Sequence, residues 1–233
     1  MPWDFWLIFF LLGLLVPWRG YVRLKKILAR PAIDSKEKLA LYGWTIASQW
    51  VMTGVVAWRA LARGLTPRDL GLAQHLDAKL VFLGAGGAIA LGTLHWLNLR
   101  RVGRMEGPMP ERMRTLALRI LPRTPVETLP YAALAVTAGV CEEFLYRGFA
   151  MAVLFRVGLA TWAVVPLTAL FFGVAHAYQG RPGIAGTTLM GVFLGIVRVA
   201  YVNLIPVMLM HTVVDLVAGI AGPKYLMRKA QEV

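Results

Sequence analysis

Three short segments in the second half of the sequence carry acids, histidines and an arginine in apolar surroundings. The residues are Glu142, Glu143 and Arg147 in CEEFLYRG, His176 in FFGVAHA, and His211 with Asp215 in MHTVVD. Carboxylates and imidazoles transfer protons in enzymes, and a carboxylate in an apolar setting can act as a general base near neutral pH. The residue types therefore indicate acid–base chemistry, provided that the fold brings the three segments together.

A spacing of four residues recurs in all three segments, in the pairs Glu143 with Arg147, Phe172 with His176, and His211 with Asp215. Residues four apart share one helix face, so Glu143 can form an ion pair with Arg147. Glu142 is rotated by about 100° from Glu143 and cannot take the same place beside that arginine. Glu142 therefore needs a partner from another helix.

The elements that must position these residues are long apolar blocks. The chain is 58% hydrophobic and 16% charged, with a mean hydropathy of +0.61, against about 45–50% and 25% for soluble proteins. Most of the blocks approach the ~20 residues that a membrane-spanning helix needs. They are residues 3–18, 39–58, 80–99, 129–155, 159–178, 184–202 and 204–221. We therefore predict an all-α fold, a polytopic transmembrane bundle of about seven to eight helices, over a large soluble protein with buried helices.

The basic residues concentrate in two clusters of seven, within residues 19–38 and 100–123. Two predicted spans separate the clusters, so both face the same side, which the positive-inside rule makes cytoplasmic. This distribution explains the net charge of +13 without nucleic acid as a partner. With seven spans, we expect the N-terminus outside and the C-terminus, with its basic tail, in the cytoplasm.

The predicted organisation is a single integral membrane domain, residues 1–233. Three front spans (1–99) are followed by a basic connector (100–128), a back half of about four spans (129–221) and a basic tail (222–233). We interpret the first block as a retained helix rather than a cleaved signal peptide. In the connector, PERMRTLALRILPR fits either an amphipathic helix on an anionic leaflet or a solvated loop. Ionisable residues near span centres are confined to the back half, and we expect the chemistry there.

Other candidate residues are given structural interpretations. His75 and His95 are expected in interfacial or solvated positions, and Arg198 is expected to extend its side chain to the membrane interface. Cys141 is the single cysteine, and the adjacent carboxylates disfavour its thiolate, so it is not expected to be a nucleophile. The glycine-rich GAGGAI, residues 84–89, is interpreted as a helix-packing face.

The back-half cluster has a functional and a structural interpretation. Ionisable groups near the bilayer centre cost ~2.5–3.5 kcal/mol each and are functional candidates by default. The alternative is a buried ion-pair network that only fixes helix packing. Two histidines, three acids and an arginine exceed what packing requires, so function is favoured.

The ordered patterns EExxxR, FxxxH and HxxxD on hydrophobic segments resemble the CPBP family of intramembrane proteases, over about residues 129–221. That family includes CAAX prenyl endopeptidases and bacterial relatives linked to bacteriocin maturation and self-immunity. The resemblance implies that Glu142 and His176 activate a water, and that Glu143 and Arg147 support them. It also implies that His211 and residue 215 stabilise the oxyanion.

Residue 215 departs from the frequent asparagine of this family. An ionised Asp215 accepts hydrogen bonds but cannot donate them, so it is also a candidate for orienting His211. The implied partners are membrane lipid and a peptide or protein substrate, lipidated or unmodified. The implied location is the bacterial plasma membrane.

Metal dependence is left open by the residue types. Zinc held by Glu142, His176 and His211 is one hypothesis. A metal-free glutamate mechanism is favoured, because Arg147 beside the glutamates opposes a divalent cation. The alternative functions are a non-catalytic membrane immunity or scaffold protein and, with less support, a proton-coupled transporter.

Overall fold

The computed structural model describes residues 1–30, 33–72, 77–105 and 111–227. These residues form eight helices and no strand. The helices are α1 (Trp3–Leu28), α2 (Ser35–Ala62), α3 (Ala78–Arg104), α4 (Glu111–Ile120), α5 (residues 125–156), α6 (Thr161–Ala175), α7 (Arg181–Tyr201) and α8 (Ile205–Met227). The predicted all-α helical bundle is confirmed.

Four helices are long and apolar enough to cross a membrane, namely α1, α3, α7 and α8. Helix α6 is apolar but has only 15 residues. The remaining two predicted blocks lie in α2 and α5. The number of membrane crossings therefore stays a prediction.

Helix α1 is longer than its apolar block. The block was predicted to end at Trp18, whereas the helix continues to Leu28. The added turns contain Arg19, Arg23, Lys25 and Lys26, and lysine and arginine are good helix formers. Much of the first basic cluster therefore lies on a helix end rather than in a loop.

Helix α5 is the central element of the bundle. It packs against α2 and α8, while α8 also packs against α3, and α6 packs against α7. The packing of α3 on α8 uses the predicted glycine face: a Cβ on Gly84 would lie 3.0 Å from Leu209 and 3.2 Å from Pro206. The packing interpretation of GAGGAI is confirmed.

The two basic clusters meet at one end of the bundle. Lys38 Nζ in α2 lies 2.9 Å from Glu127 Oε2 in α5 and 2.9 Å from the Leu121 carbonyl after α4. Arg119 of α4 donates to the Ile27 carbonyl of α1 at 2.8 Å. These contacts confirm that both clusters share a side. Lys38 is 1% exposed and is therefore part of the packing between these helices.

The central part of the connector is helical. Of the two interpretations of PERMRTLALRILPR, the structure shows the helix, α4. Ala117 and Leu121 are buried against Met227 at the end of α8. Arg112 Nε donates to the Tyr178 carbonyl at 2.9 Å. The connector is thereby packed against the back half, close to the end of α6.

Candidate active site

The site lies at a change in the winding of α5. The α-helical part, Pro125–Glu143, passes into a π-helical segment, Phe144–Ala150, before α-helix resumes at Met151. Such segments insert an extra residue and occur frequently at functional sites. All seven residues of the segment are buried. The acidic pair therefore lies where the helix changes its winding.

Glu143 is the centre of a buried charged cluster. Its Oε1 accepts from Arg147 at 2.8 Å and from His211 Nδ1 at 2.8 Å. Glu143 and Arg147 are fully buried, and His211 is 2% exposed. The predicted pair of Glu143 with Arg147 is present, and α8 contributes the histidine that completes it.

The Arg147 guanidinium has an aromatic neighbour as well as an acidic one. Its Cζ lies 4.4 Å from the centre of the Phe172 ring in α6, in a cation–π contact. The Phe172 ring also meets His211 edge-on at 5.7 Å. A Cβ on Gly191 of α7 would lie 3.0 Å from Arg147, so this position suits a residue without a side chain. Four helices thus enclose one arginine.

Glu142 has one bound oxygen and one oxygen without a hydrogen-bond partner. Its Oε1 accepts from Gln49 Nε2 at 2.8 Å. Its Oε2 is buried and faces His176 Nε2 at 3.8 Å, which is beyond a direct hydrogen bond. The helix rotation predicted from the sequence has therefore turned Glu142 away from Arg147 and toward α2 and α6.

The other nitrogen of His176 fixes the role of the nitrogen that faces Glu142. His176 Nδ1 lies 2.9 Å from the Phe172 carbonyl. A carbonyl oxygen only accepts, so Nδ1 carries a proton, and Nε2 of the neutral ring is an acceptor. Nε2 of the neutral ring and Glu142 Oε2 are therefore two acceptors 3.8 Å apart, and neither can donate to the other.

Asp215 lies at the more open edge of the site. Its Oδ2 is 3.7 Å from His211 Nε2, and its side chain is 33% exposed. Asp215 lies within electrostatic range of both Glu142 and His176. His211 is thus placed between the buried Glu143 and the more accessible Asp215.

All six residues singled out from the sequence come together from α5, α6 and α8. Gln49, however, was missed. It lies in α2, in the half of the chain that was expected to take no part in the chemistry. Its sequence signal is weak, since it is one uncharged polar residue in the block of residues 39–58.

The four residues that were given structural interpretations have different outcomes. The expected interfacial Arg198 is instead 7% exposed and donates to the Asp69 carbonyl at 3.0 Å. His95 is half-buried in α3, and its Nε2 is buried without a hydrogen-bond partner, so of the two expected positions, interfacial or solvated, only the interfacial one stays a prediction. Cys141 is buried and free. His75 lies outside the described residues.

Metal binding at the site stays a prediction. Within the described part of the chain, no group of three or more His, Cys, Asp and Glu side chains is placed to hold a metal ion. One nitrogen of each histidine is engaged, His176 with a carbonyl and His211 with Glu143. In both histidines the engaged nitrogen is Nδ1, and metal-bound histidines commonly hydrogen-bond through their other nitrogen, so the predicted zinc alternative stays open.

Residues 124–217 match the family model described as type II CAAX prenyl endopeptidase Rce1-like. This segment contains every predicted site residue. This match bears out the predicted resemblance to the CPBP family of CAAX-type intramembrane proteases over the matched segment. No curated protein and no solved structure matches the chain. The four long apolar helices indicate an integral membrane protein, and the family match supports a protease.

Proposed function

We propose that this protein is a metal-free glutamate-dependent intramembrane endopeptidase that uses Glu142 as the general base. The observation that carries the proposal is the pair of facing acceptors, Glu142 Oε2 and His176 Nε2, 3.8 Å apart. A water placed there donates one hydrogen to each acceptor and directs its oxygen lone pair away from both. A buried oxygen without a hydrogen-bond partner lowers the stability of the folded protein. Its presence at Glu142 is therefore better explained by a role in binding water or substrate.

In the proposed reaction, the water oxygen attacks the carbonyl carbon of the substrate peptide while Glu142 takes one of its protons. The carbonyl oxygen becomes an oxyanion as the new C–O bond forms. When the C–N bond breaks, the protonated Glu142 returns the proton to the leaving amine. One water is consumed, and Glu142 ends in its starting state.

His176 and His211 have separate roles in this proposal. His176 accepts the second hydrogen of the water and so fixes the direction of attack. His211 is held by Glu143 through Nδ1, and its Nε2, when protonated, donates toward the oxyanion. Asp215 orients His211 from the open edge of the site.

Gln49 is proposed as a positioning residue. Its amide N–H holds Glu142 Oε1 at 2.8 Å, which leaves Oε2 directed at His176. Its own Oε1 is buried without a partner and is available to a substrate N–H. The back half of the chain would therefore need α2 to complete the site.

The proposed substrate is a membrane-delivered peptide, either a CAAX-like lipidated terminus or an unmodified segment. The proposed location is the bacterial plasma membrane, with the N-terminus outside and the C-terminus in the cytoplasm. The basic end of the bundle supports this orientation through the positive-inside rule.

The test is cleavage of membrane-associated peptides by purified protein in proteoliposomes, compared with Glu142→Gln. Parallel lipidated and unmodified peptides separate the two substrate classes. Cleavage by the wild type and loss of cleavage in the variant support the proposal. If the wild type cleaves nothing but still binds peptides, a non-catalytic scaffold function replaces the enzyme. If a proton gradient drives solute flux instead, a transporter replaces it.

A further inference from the structure

A groove on the outer surface of the bundle lies between α3 and α8, away from the candidate active site. It has a volume of about 490 Å³, within the ~300–1,000 Å³ typical of small-molecule sites. Its walls are apolar or small, with Ala88, Ile89, Gly92 and Thr93 from α3 and Val213, Val217 and Ile220 from α8. The groove therefore matches a flexible hydrocarbon chain better than a polar ligand.

One end of the groove is aromatic and basic. Trp96, Lys224 and Tyr225 line this end. The Arg100 guanidinium lies 5.6 Å from the Trp96 ring, and Arg100 also lines an adjoining depression with Arg101 and Arg104. Positive charge from both helices thus collects where the apolar walls end.

Within the described ranges, no acidic side chain pairs with the positive charge at this end. Among the described residues, Arg100, Arg101, Arg104 and Lys224 form no ion pair, and no acidic side chain lines either the groove or the depression. Basic pockets between transmembrane helices recognise anionic lipid headgroups. An apolar groove with an unneutralised basic end has the two-part chemistry of an anionic phospholipid.

We propose that one anionic phospholipid of the surrounding bilayer binds in this groove. Its acyl chain lies along α3 and α8, and its phosphate is held by Arg100, Arg104 and Lys224. The groove uses the face of α8 that carries Val213 and Val217, whereas His211 on the same helix contacts Glu143. Bound lipid therefore stabilises the helix that supplies part of the candidate active site, without entering that site.

The test measures lipid retention and thermal unfolding of the purified full-length protein. Native mass spectrometry and Tm are compared in micelles containing phosphatidylglycerol or phosphatidylcholine with the same acyl chains. The expected result is one retained phosphatidylglycerol and a Tm that rises with its concentration, since a ligand that binds only the folded state stabilises it. Equal retention and stabilisation by phosphatidylcholine would overturn the proposal.

Variants separate the basic end from the apolar groove. The double variant Arg100→Gln and Arg104→Gln should bind phosphatidylglycerol about 25-fold more weakly, at about fivefold for each basic residue near an anionic surface. Thr93→Trp should reduce binding by filling the groove without a change of charge. The matched control, Lys25→Gln with Lys26→Gln, removes the same charge from the end of α1 and should retain binding.

Two further results would count against the proposal. An equal loss of binding in the control would mean that net charge, and not this site, holds the lipid. Stabilisation by glycerol phosphate equal to that by the intact lipid would identify a soluble anion as the ligand. If the arginine variant does not fold, Thr93→Trp still decides, because unchanged lipid binding in that variant contradicts occupancy of the groove.

Discussion

Two carboxylates of the same helix, α5, lie in opposite chemical situations. Glu127, at its start, is 2% exposed and has donors on both oxygens. Its Oε1 accepts from Ser35 at 2.6 Å, and its Oε2 accepts from Lys38 at 2.9 Å and from the backbone N–H of Arg123 at 2.7 Å. Every acceptor on Glu127 is used within the protein.

Glu142, at the other end of the α-helical part of α5, is only half satisfied. Gln49 donates to one oxygen, and the second oxygen faces the acceptor nitrogen of His176. The two carboxylates thus differ in how many of their oxygens have a hydrogen-bond donor. Glu127, with donors on both oxygens, joins helices, whereas Glu142, whose unused oxygen faces the acceptor nitrogen of His176, is suited to a water or substrate.

The largest effect is expected from Glu142→Gln. The amide keeps the shape of the side chain but cannot act as a base, so kcat should fall about 10²–10⁴-fold, the usual contribution of general base catalysis. Abundance in the membrane and Tm should stay near the wild-type values. Peptide cleavage in proteoliposomes measures the change. Asp69→Asn, the corresponding change of acid to amide in an exposed loop, is the control, and full activity of Glu142→Gln would exclude the proposed base.

The second prediction concerns Glu127→Gln, which should reverse this pattern. The Lys38 ammonium would stay buried without its anion, and breaking a buried pair costs about 3–5 kcal/mol of unfolding free energy. The kcat of the protein that remains folded should not change. Thermal unfolding measures the loss.

The double variant Lys38→Met with Glu127→Gln sharpens this second prediction. It removes both charges, so much of the lost stability should return. A drop in kcat with unchanged Tm in Glu127→Gln would show that the two ends of α5 do not differ as described.

The third prediction is a smaller loss of activity in Gln49→Ala. A hydrogen bond to a charged group contributes about 1.5–3 kcal/mol, so kcat should fall about 10–100-fold if Gln49 positions Glu142. The pH profile of kcat should also change, because Glu142 loses a donor; a merely structural role would leave that profile unmoved. Ser48→Ala, at the neighbouring exposed position, is the control. An unchanged profile and kcat would remove α2 from the site.

The smallest effect is expected from Asp215→Asn. The amide can still accept a hydrogen bond near His211 and gains a donor. The change in kcat should therefore be less than about tenfold, or ~1.4 kcal/mol. Steady-state cleavage measures it. A loss as large as that of Glu142→Gln would show that the charge of Asp215 takes part directly in the reaction.

The sequence predicted where the helices lie and which ion pair forms within one helix. Helix positions follow from long apolar blocks, because a bilayer demands length and hydropathy. The end of α1 was missed because its last turns are basic, so hydropathy carries no signal there. The pair of Glu143 with Arg147 was predictable because both lie four apart on one helix.

Contacts between distant helices were less accessible from the sequence. Arg198 was expected at the interface but is buried against the loop that contains Asp69. Gln49 was overlooked because an amide in an apolar block gives no hint of its partner. Both outcomes depend on which helix faces pack together, and the spacing within one helix does not contain that information.

By itself, the sequence determined an all-α membrane protein and the six ionisable residues of its back-half cluster, because hydropathy and helical periodicity are local properties of the chain. Tertiary structure alone decided that Glu142 turns toward Gln49 and His176, while Glu143 binds Arg147 and His211. The physical reason is that a buried carboxylate takes its donors from whichever helices pack beside it. Those neighbours are fixed only when the bundle assembles.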